Sequence, residues 1–273
     1  MFRKPLWLMI PLLGLIIVLV SFRHNNDAEG QEAKTIKAQL IATFPHDPND
    51  FCQGLIVEGD TVYEGTGRYG QSAVKKYDLT SGKVSQQVGL HQSYFGEGIA
   101  IIKDRIYQLT WKERVCVVYD KETFKAIGQF SYTGEGWGLT TDGKYLYMSN
   151  GSSVIQVIDP DNFKQIRKIR VTFGRKQEDK LNELEFVGDE LWACIWYEDK
   201  IARIDPETGK IKGYFDCSSL YPKKQRPDKE YVLNGIAYDA KAQRLFLSGK
   251  LWPTIYEVEL PKDLTGRQPP SGK

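Results

Sequence analysis

The feature that most constrains this chain is a pattern of four short strands that recurs five times from residue 37 onward. Each copy contains a segment with polar turn residues followed by an apolar or aromatic run: "GDTVYEG", "KDRIYQLTW", "DGKYLYMSN", "GDELWACIW" and "AQRLFLSGK". A third strand follows, and in four copies it ends at an aspartate suited to a turn: Asp78, Asp120, Asp159 and Asp205. A four-stranded unit repeating every ~40–50 residues is typical of a β-propeller, so the sequence predicts an all-β, five-bladed β-propeller.

The two ends of the repeat region complement each other. The fifth copy lacks its fourth strand, whereas "IKAQLIATF", residues 36–44, precedes the first copy and alternates like an outer strand. We expect this N-terminal strand to close the last blade, because closure removes edges that would otherwise pair between molecules. The predicted propeller spans residues 36–262 and leaves residues 263–273 as a C-terminal tail.

The N-terminus differs from the repeats. Arg3 and Lys4 precede an apolar run from Pro5 to Phe22, which is close to a membrane-spanning length. Residues 1–23 are therefore predicted to be a signal anchor or a cleaved signal peptide, and residues 24–35 a polar tether. Both alternatives place the propeller in the periplasm or elsewhere outside the cytoplasm, with the N-terminal segment as its only membrane contact.

Charge and metal-ligand spacing exclude some functions. The formal net charge of +2 gives no reason to expect a nucleic-acid partner. The histidines are scattered and lack the clustering of a zinc site, so metal-free chemistry is the default: His24, His46 and His91. The cysteines form no CxxC pair, and their disulfide status stays open: Cys52, Cys116, Cys194 and Cys217. Of these, Cys116 and Cys194 are expected to be buried strand residues.

The first strand of each copy begins with a related triplet. The five copies are Gln53-Gly54-Leu55, Glu97-Gly98-Ile99, Trp137-Gly138-Leu139, Asn182-Glu183-Leu184 and Asn234-Gly235-Ile236. Glycine at the centre permits close approach of the backbones around the axis, and Glu183 is the exception. The leading residue varies chemically, which indicates a ring of side chains that face a central cavity. The second strands end near the same mouth, with Trp111, Asn150, Trp196 and Lys250.

Such a cavity suits a small organic group that carries amide or amine functions. Buried polar groups without partners cost about 1–3 kcal/mol each, so this ring requires a ligand, water or mutual contacts. Glu97 is the one clear carboxylate of the ring, and a carboxylate against aromatic rings can exchange a proton near neutral pH.

The motifs "FPHDPNDFCQGL", "YFGEGIA", "YQLTW", "GEGWGLT", "LNELEF", "ACIW", "YVLNGIAYD" and "LSGKLWP" resemble those of the plant and bacterial glutaminyl-peptide cyclotransferases. The resemblance runs from about residue 37 to 260 in family order. Cys52 departs from the pattern, since a threonine or serine is more usual there. The resemblance implies an aminoacyltransferase that converts N-terminal glutamine of peptides or proteins to pyroglutamate and releases ammonia. It also implies no zinc, unlike the unrelated animal-type enzymes, and no other cofactor. A monomer is expected, although the sequence itself leaves the oligomeric state open.

That reaction assigns roles to the ring. Glu97 is expected to be the general acid and base, while Gln53 and Asn182 bind the substrate amide and the tetrahedral oxyanion. Lys250 either keeps Glu97 ionised or contacts the oxyanion. The remaining candidates would wall or shape the pocket, with core packing or backbone bonding as alternatives: Phe51, Phe95, Trp111, Trp137, Trp196 and Asn234. Asn150 is one residue out of step and receives no role.

Two other functions fit the same fold. One is a non-enzymatic propeller that binds a peptide or protein over the mouth. The other is a lactone or ester hydrolase, although that chemistry usually needs a metal held by several carboxylates.

Overall fold

The structure is a computed structural model that describes residues 1–2 and 34–268. The described part is an all-β, five-bladed β-propeller, as the sequence predicts. Residues 3–23 of the predicted signal segment and most of the tether lie outside the described residues. Within residues 1–2 and 34–268, no helix is long and apolar enough to cross a membrane.

Blades 1 to 3 are antiparallel sheets whose four strands run in chain order from the axis outward. Blade 1 contains Cys52–Glu58, Thr61–Thr66, Ala73–Asp78 and Val84–Gly89. Blade 2 contains Gly96–Ile102, Arg105–Thr110, Val115–Asp120 and Ala126–Ser131. Blade 3 contains Leu139–Thr141, Leu146–Met148, Val154–Ile158 and Gln165–Arg170.

Blades 4 and 5 use strands from both ends of the chain. Blade 4 contains Leu181–Val187, Glu190–Ile195, Lys200–Ile204, Ile211–Asp216 and the N-terminal Thr35–Lys37. Blade 5 contains Leu233–Asp239, Arg244–Gly249, Thr254–Val258 and the N-terminal Leu40–Pro45. A hairpin of Thr172–Phe173 and Lys176–Gln177 separates blades 3 and 4, and a short 3-10 turn, Lys223–Gln225, lies between blades 4 and 5.

The N-terminal closing segment is two strands rather than the single strand predicted. Thr35–Lys37 pairs in parallel with the outer strand of blade 4. Leu40–Pro45 then pairs antiparallel with Thr254–Val258 of blade 5. The chain passes from one blade to the next at Ala38 and Gln39, whose backbone groups bond Asp216 O and Glu259 N. The predicted closure is therefore present, and it also ties blade 4 to blade 5.

The hydrophobic core is divided into one cluster for each contact between neighbouring blades. Side chains alternate along a strand, so each blade presents one apolar face to the preceding blade and one to the next. The cluster between blades 4 and 5 includes Trp192, Phe215 and Trp252, all at most 1% exposed. Leu264, in the predicted C-terminal tail, is also fully buried in this cluster. The tail therefore contributes to the core.

The axial glycines are required by close backbone contacts. A Cβ at Gly98 would lie 2.4 Å from Leu139 N, and one at Gly138 would lie 2.1 Å from Asn182 O. Glu183 occupies the corresponding position in blade 4, and its carboxyl group accepts a hydrogen bond from Ile236 N at 3.0 Å. Burial, with a contribution from Glu185, raises the pKa of Glu183 well above its ordinary value. This side chain thus joins blade 4 to blade 5 at the axis.

The predicted turns and cysteine burial are also present. Each turn aspartate accepts a backbone N–H two or three residues later, at 2.8–2.9 Å. All four cysteines are buried and unpaired with one another, and Cys116 and Cys194 lie in strands as expected.

Candidate active site

A cavity of about 230 Å³ opens at one mouth of the propeller. Its lining residues are Phe51, Gln53, Phe95, Glu97, Trp111, Trp137, Asn182, Trp196, Glu230 and Lys250. Nine of the ten site residues predicted from the sequence are among them. The volume is below the ~300–1,000 Å³ of sites for drug-sized ligands, so the cavity is suited to a single amino-acid residue.

The strand pattern explains why these side chains meet. Within a blade, the start of the innermost strand lies beside the end of the second strand, as in the pairs Gly96–Thr110 and Leu181–Ile195. A bridge between Phe51 and Lys250 joins blade 1 to blade 5 at the same level. The residues that follow Trp196 and Lys250 adopt left-handed backbone conformations, with φ of 68° at Tyr197 and 59° at Leu251. These residues end the second strands at the mouth, where the preceding side chains line the cavity.

Glu97 is a buried acid, with only 5% of its surface exposed. Burial raises the pKa of Glu97 well above its ordinary value, and the ammonium of Lys250 opposes this effect. Glu135 and Glu113 raise the pKa further through their negative charges. A carboxyl group with a raised pKa can both accept and donate a proton near neutral pH.

Lys250 is a buried amine, 6% exposed, that follows the second strand of blade 5. Its ammonium lies 4.8 Å from the ring centre of Phe51 and 5.9 Å from that of Trp196. Burial lowers the pKa of Lys250, while Glu97 and Glu230 act in the opposite direction. Among the described residues, Glu97 and Lys250 do not form an ion pair within 4.0 Å. Their influence on each other therefore acts across the cavity.

Two amide side chains offer polar atoms to a ligand. Asn182 is 2% exposed, and its Oδ1 has no hydrogen-bond partner in the described part of the chain. Gln53 is also 2% exposed, and its Oε1 accepts a hydrogen bond from Asn234 Nδ2 at 2.8 Å. Because the oxygen of Gln53 is engaged, its amide N–H groups are the part available to a ligand.

Asn234, the tenth predicted residue, does not line the cavity. It is fully buried behind Gln53, and its Nδ2 also donates to Cys52 O at 2.9 Å. Asn150, which received no predicted role, accepts from Ser152 N and Ser152 Oγ within its own turn.

Aromatic rings form most of the cavity wall. Trp137 and Trp196 are nearly perpendicular, with ring centres 5.2 Å apart. Phe95 packs edge-on against Trp111 at 5.7 Å and against Phe51 at 6.1 Å. Five rings from blades 1 to 4 thus surround the polar groups and reduce their access to water.

Glu230 is the lining residue that the repeat pattern missed. It lies between blades 4 and 5, in a connection that has no counterpart in the other copies, and its Oε1 accepts a hydrogen bond from Tyr197 Oη at 3.1 Å. A side chain in a unique connection has no repeat position, so the sequence provided no signal for it.

A second group of polar side chains lies behind the wall at Phe51. Ligand atoms of His46, Asp50 and Glu64 all lie within 4.8 Å of one another, although the sequence gave these residues no shared spacing. His46 bonds both Glu64 and the carbonyl of Trp252, and Lys75 pairs with Asp50. Tyr77 Oη also donates to Glu64 at 2.8 Å, so each of the three side chains already has a partner in the protein.

The fold and the site define a class of protein, a five-bladed β-propeller with a buried carboxyl group and a buried amine in a pocket at one mouth. A family model described as "Glutamine cyclotransferase" matches residues 13–260. The glutaminyl-peptide cyclotransferase of Arabidopsis thaliana is 37% identical over 270 residues, which covers 94% of this chain and 84% of that protein. The crystal structure of Myxococcus xanthus glutaminyl cyclase matches with a TM-score of 0.78 at 32% identity, covering 84% of this chain and 98% of that one. This chain belongs to the glutamine cyclotransferase family and is an enzyme.

Proposed function

We propose that this enzyme cyclises N-terminal glutamine residues of peptides or proteins to pyroglutamate, with Glu97 as the general acid and base and without a catalytic metal. The observation that carries the proposal is the placement of one buried carboxyl group in a cavity sized for a single residue. The cavity wall, as described, includes no histidine or cysteine, which are the preferred ligands of zinc.

The size of the cavity supports selection of a chain terminus. A glutaminyl residue enters with its side chain and α-amine, while the rest of the peptide lies outside the mouth. Asn182 Oδ1 is available to accept a hydrogen bond from the substrate amine or amide, which supplies the partner that this buried oxygen lacks. The aromatic walls hold the amine against the side-chain carbonyl, and such positioning accounts for a large part of the rate of an intramolecular reaction.

The proton transfers balance with one carboxyl group. The amine nitrogen attacks the side-chain carbonyl carbon, and the new C–N bond produces a tetrahedral oxyanion. Ionised Glu97 takes one proton from the attacking nitrogen and delivers it to the leaving nitrogen, which departs as ammonia when its C–N bond breaks. Donors from Gln53 and Lys250 stabilise the oxyanion in this surrounding of low polarity. Glu97 is ionised again at the end of the cycle.

A direct assay tests this function against its two alternatives. Purified full-length protein is incubated with a Gln-initiated dipeptide and a chelator, and ammonia is measured. Sustained ammonia release supports the metal-free cyclase. Loss of activity with chelator contradicts the metal-free proposal, and peptide binding without turnover supports the non-enzymatic alternative. Hydrolysis of a lactone or ester in place of cyclisation supports the hydrolase.

We also propose that the enzyme acts as a monomer outside the cytoplasm. The apolar run from Pro5 to Phe22, preceded by Arg3 and Lys4, supports this location. Cell fractionation with protease protection tests the location, and light scattering of the purified protein tests the oligomeric state.

A further inference from the structure

Glu135 contacts two walls of the cavity although it does not line the cavity itself. Its Oε2 accepts hydrogen bonds from Trp111 Nε1 at 2.8 Å and from Trp137 Nε1 at 3.0 Å. Trp111 follows the second strand of blade 2, whereas Trp137 precedes the innermost strand of blade 3. One carboxylate oxygen therefore joins indoles from two neighbouring blades.

The backbone around Glu135 is held in place on both sides. Gly136 N donates to Trp111 O at 3.2 Å, and a Cβ at Gly136 would lie 2.3 Å from Tyr132 Oη. Gly134 has a φ of 85°, a left-handed conformation that favours glycine. The glycines that flank Glu135 in "GEG" thus hold its backbone where its carboxylate bonds both indole N–H groups.

We propose that Glu135 is a positioning residue for cyclisation, which fixes the indoles of Trp111 and Trp137 so that they enclose the substrate beside Glu97. The inference rests on the proposed function of the cavity. Hydrogen bonds to an ionised acceptor are about twice as strong as neutral ones, so two of them restrict both rings. Trp137 in turn packs against Trp196, so the constraint extends across the wall.

The charge of Glu135 also acts on Glu97. Lys250 lowers the pKa of Glu97 against the dominant effect of burial, and Glu135 and Glu113 both raise it. Glu230 faces the same cavity and acts on Lys250.

Two cations lie against wall rings and complete the charged surroundings. Lys112 Nζ is 3.9 Å from the ring centre of Trp111, and Arg68 Cζ is 4.9 Å from that of Phe51. Removing only the charge of Glu135 leaves these groups in place and is therefore a defined electrostatic change.

Two substitutions separate positioning from charge. Glu135→Gln retains a carbonyl oxygen with two lone pairs, which can accept both indole N–H groups, but it removes the charge. Glu135→Ala removes both the acceptor and the charge. Glu122→Gln is the control, because Glu122 lies in an exposed turn at the outer edge of blade 2.

The test measures kcat and KM for a Gln-initiated dipeptide as a function of pH, together with tryptophan fluorescence. We expect Glu135→Ala to lower kcat/KM at least ~10-fold and to change the indole emission, since about one strong hydrogen bond is lost for each ring. We expect Glu135→Gln to recover kcat/KM to within about threefold of the original enzyme, the range of one weak hydrogen bond. The acidic limb of the pH profile of kcat/KM for Glu135→Gln should move to lower pH, because loss of a neighbouring negative charge lowers the pKa of Glu97.

Several results would overturn the inference. One is a Glu135→Ala enzyme with unchanged kinetics and fluorescence. Another is a Glu135→Gln enzyme that is as impaired as Glu135→Ala, or one whose acidic limb stays in place. If Glu135→Ala does not fold, as judged by its thermal transition, Glu135→Gln and its pH profile decide. If the unsubstituted enzyme releases no ammonia, or Glu97→Gln is fully active, the proposed function fails instead, and fluorescence still reports whether Glu135 orders the indoles.

Discussion

Asn234 Nδ2 donates a 2.8 Å hydrogen bond to Gln53 Oε1 and thereby directs the amide nitrogen of Gln53 toward the substrate cavity. The two residues are the leading members of the triplets in blades 5 and 1, so this bond crosses the junction where the propeller closes. Asn234, which was expected to bind substrate, thus contacts Gln53, the residue that lines the cavity, rather than the cavity itself.

This relationship predicts that Asn234→Ala lowers kcat/KM roughly 10-fold by releasing the Gln53 side chain, since a buried group left without its partner costs about 1–3 kcal/mol. Kinetics of Asn234→Ala, Gln53→Ala and the double variant provide the measurement. If Asn234 acts through Gln53, the double variant is no slower than Gln53→Ala. Additive losses would contradict this coupling. Asn150→Ala is the control and should keep full activity, because Asn150 bonds only within its turn.

Glu97→Gln should lower turnover at least ~100-fold while the thermal transition stays near that of the original enzyme, the effect expected for loss of acid–base catalysis. Glutamine has nearly the same shape but neither accepts nor donates a proton at the carboxyl position. Ammonia release and differential scanning calorimetry on the same preparation provide the measurements, with Glu122→Gln as control. Near-normal turnover in Glu97→Gln would remove this residue from the mechanism.

Lys250→Met should move the acidic limb of the pH profile to higher pH. Burial raises the pKa of Glu97 and the Lys250 ammonium opposes that rise, so removing the ammonium raises the pKa further. Ionised Glu97, the form that accepts the proton, is then populated only at higher pH. We also expect kcat to fall ~10-fold or more if the ammonium contacts the oxyanion. An unshifted limb would show that Lys250 does not tune Glu97.

The repeat made much of the fold and site accessible from the sequence. Strand alternation and the triplets placed Gln53, Glu97, Trp137 and Asn182 at one level, because a repeated backbone puts equivalent positions at equivalent heights. The repeat did not predict the roles of Glu230 and Glu135, because each lies in a connection between strands whose path is set by local turns. The signal for Glu135 was present in the two flanking glycines of "GEG", but nothing in the sequence shows which indoles it bonds.

The cluster of His46, Asp50 and Glu64 was not predicted from the sequence for a different reason. His46 precedes blade 1, Glu64 belongs to its second strand, and the carbonyl of Trp252 comes from blade 5. These parts meet only because the propeller closes, and sequence spacing contains no trace of contacts between residues about 200 positions apart. The same explanation applies to the split of the closing segment, where pairing partners in two blades decide the register.

Stability should depend on pH through His46. Burial alone would lower the pKa of His46, but Glu64 and the Trp252 carbonyl outweigh burial and raise it from 6.5 to about 9. Because the folded-state pKa is raised, this stabilisation is fully present below about pH 6.5 and is lost as pH rises through about 9. It amounts to on the order of 3 kcal/mol. Urea unfolding between pH 6 and 10 measures it as the difference between the original protein and His46→Gln.

His91→Gln is the matched control, because His91 is an exposed histidine whose side chain bonds Ser93 and packs edge-on against Tyr94. It should keep the pH dependence of the original protein, whereas His46→Gln should lose most of it. Equal pH dependence in the original protein and in His46→Gln would show that His46 is not charged in the folded state.

Closure of the ring predicts unequal effects of two N-terminal truncations. Three chains are compared, starting at residue 34, 38 or 46. Loss of Thr35–Lys37 removes a short parallel edge strand from blade 4, which still keeps its four antiparallel strands, so the transition temperature should fall by only a few degrees. Loss of Leu40–Pro45 also exposes the edge of Thr254–Val258 and removes Phe44, whose ring centre lies 6.1 Å from that of Phe246.

The chain that starts at residue 46 should therefore lose more than ~10 °C or fail to fold cooperatively, because blade 5 keeps only three strands and its outer edge is exposed. Phe44→Ala in the chain that starts at residue 34 isolates the packing part of this loss and should cost about 3 kcal/mol or less, since Phe44 is only partly buried. Calorimetry of the four proteins at one pH and concentration provides the comparison. Equal transition temperatures for the chains that start at residues 38 and 46 would mean that Leu40–Pro45 does not hold the ring closed.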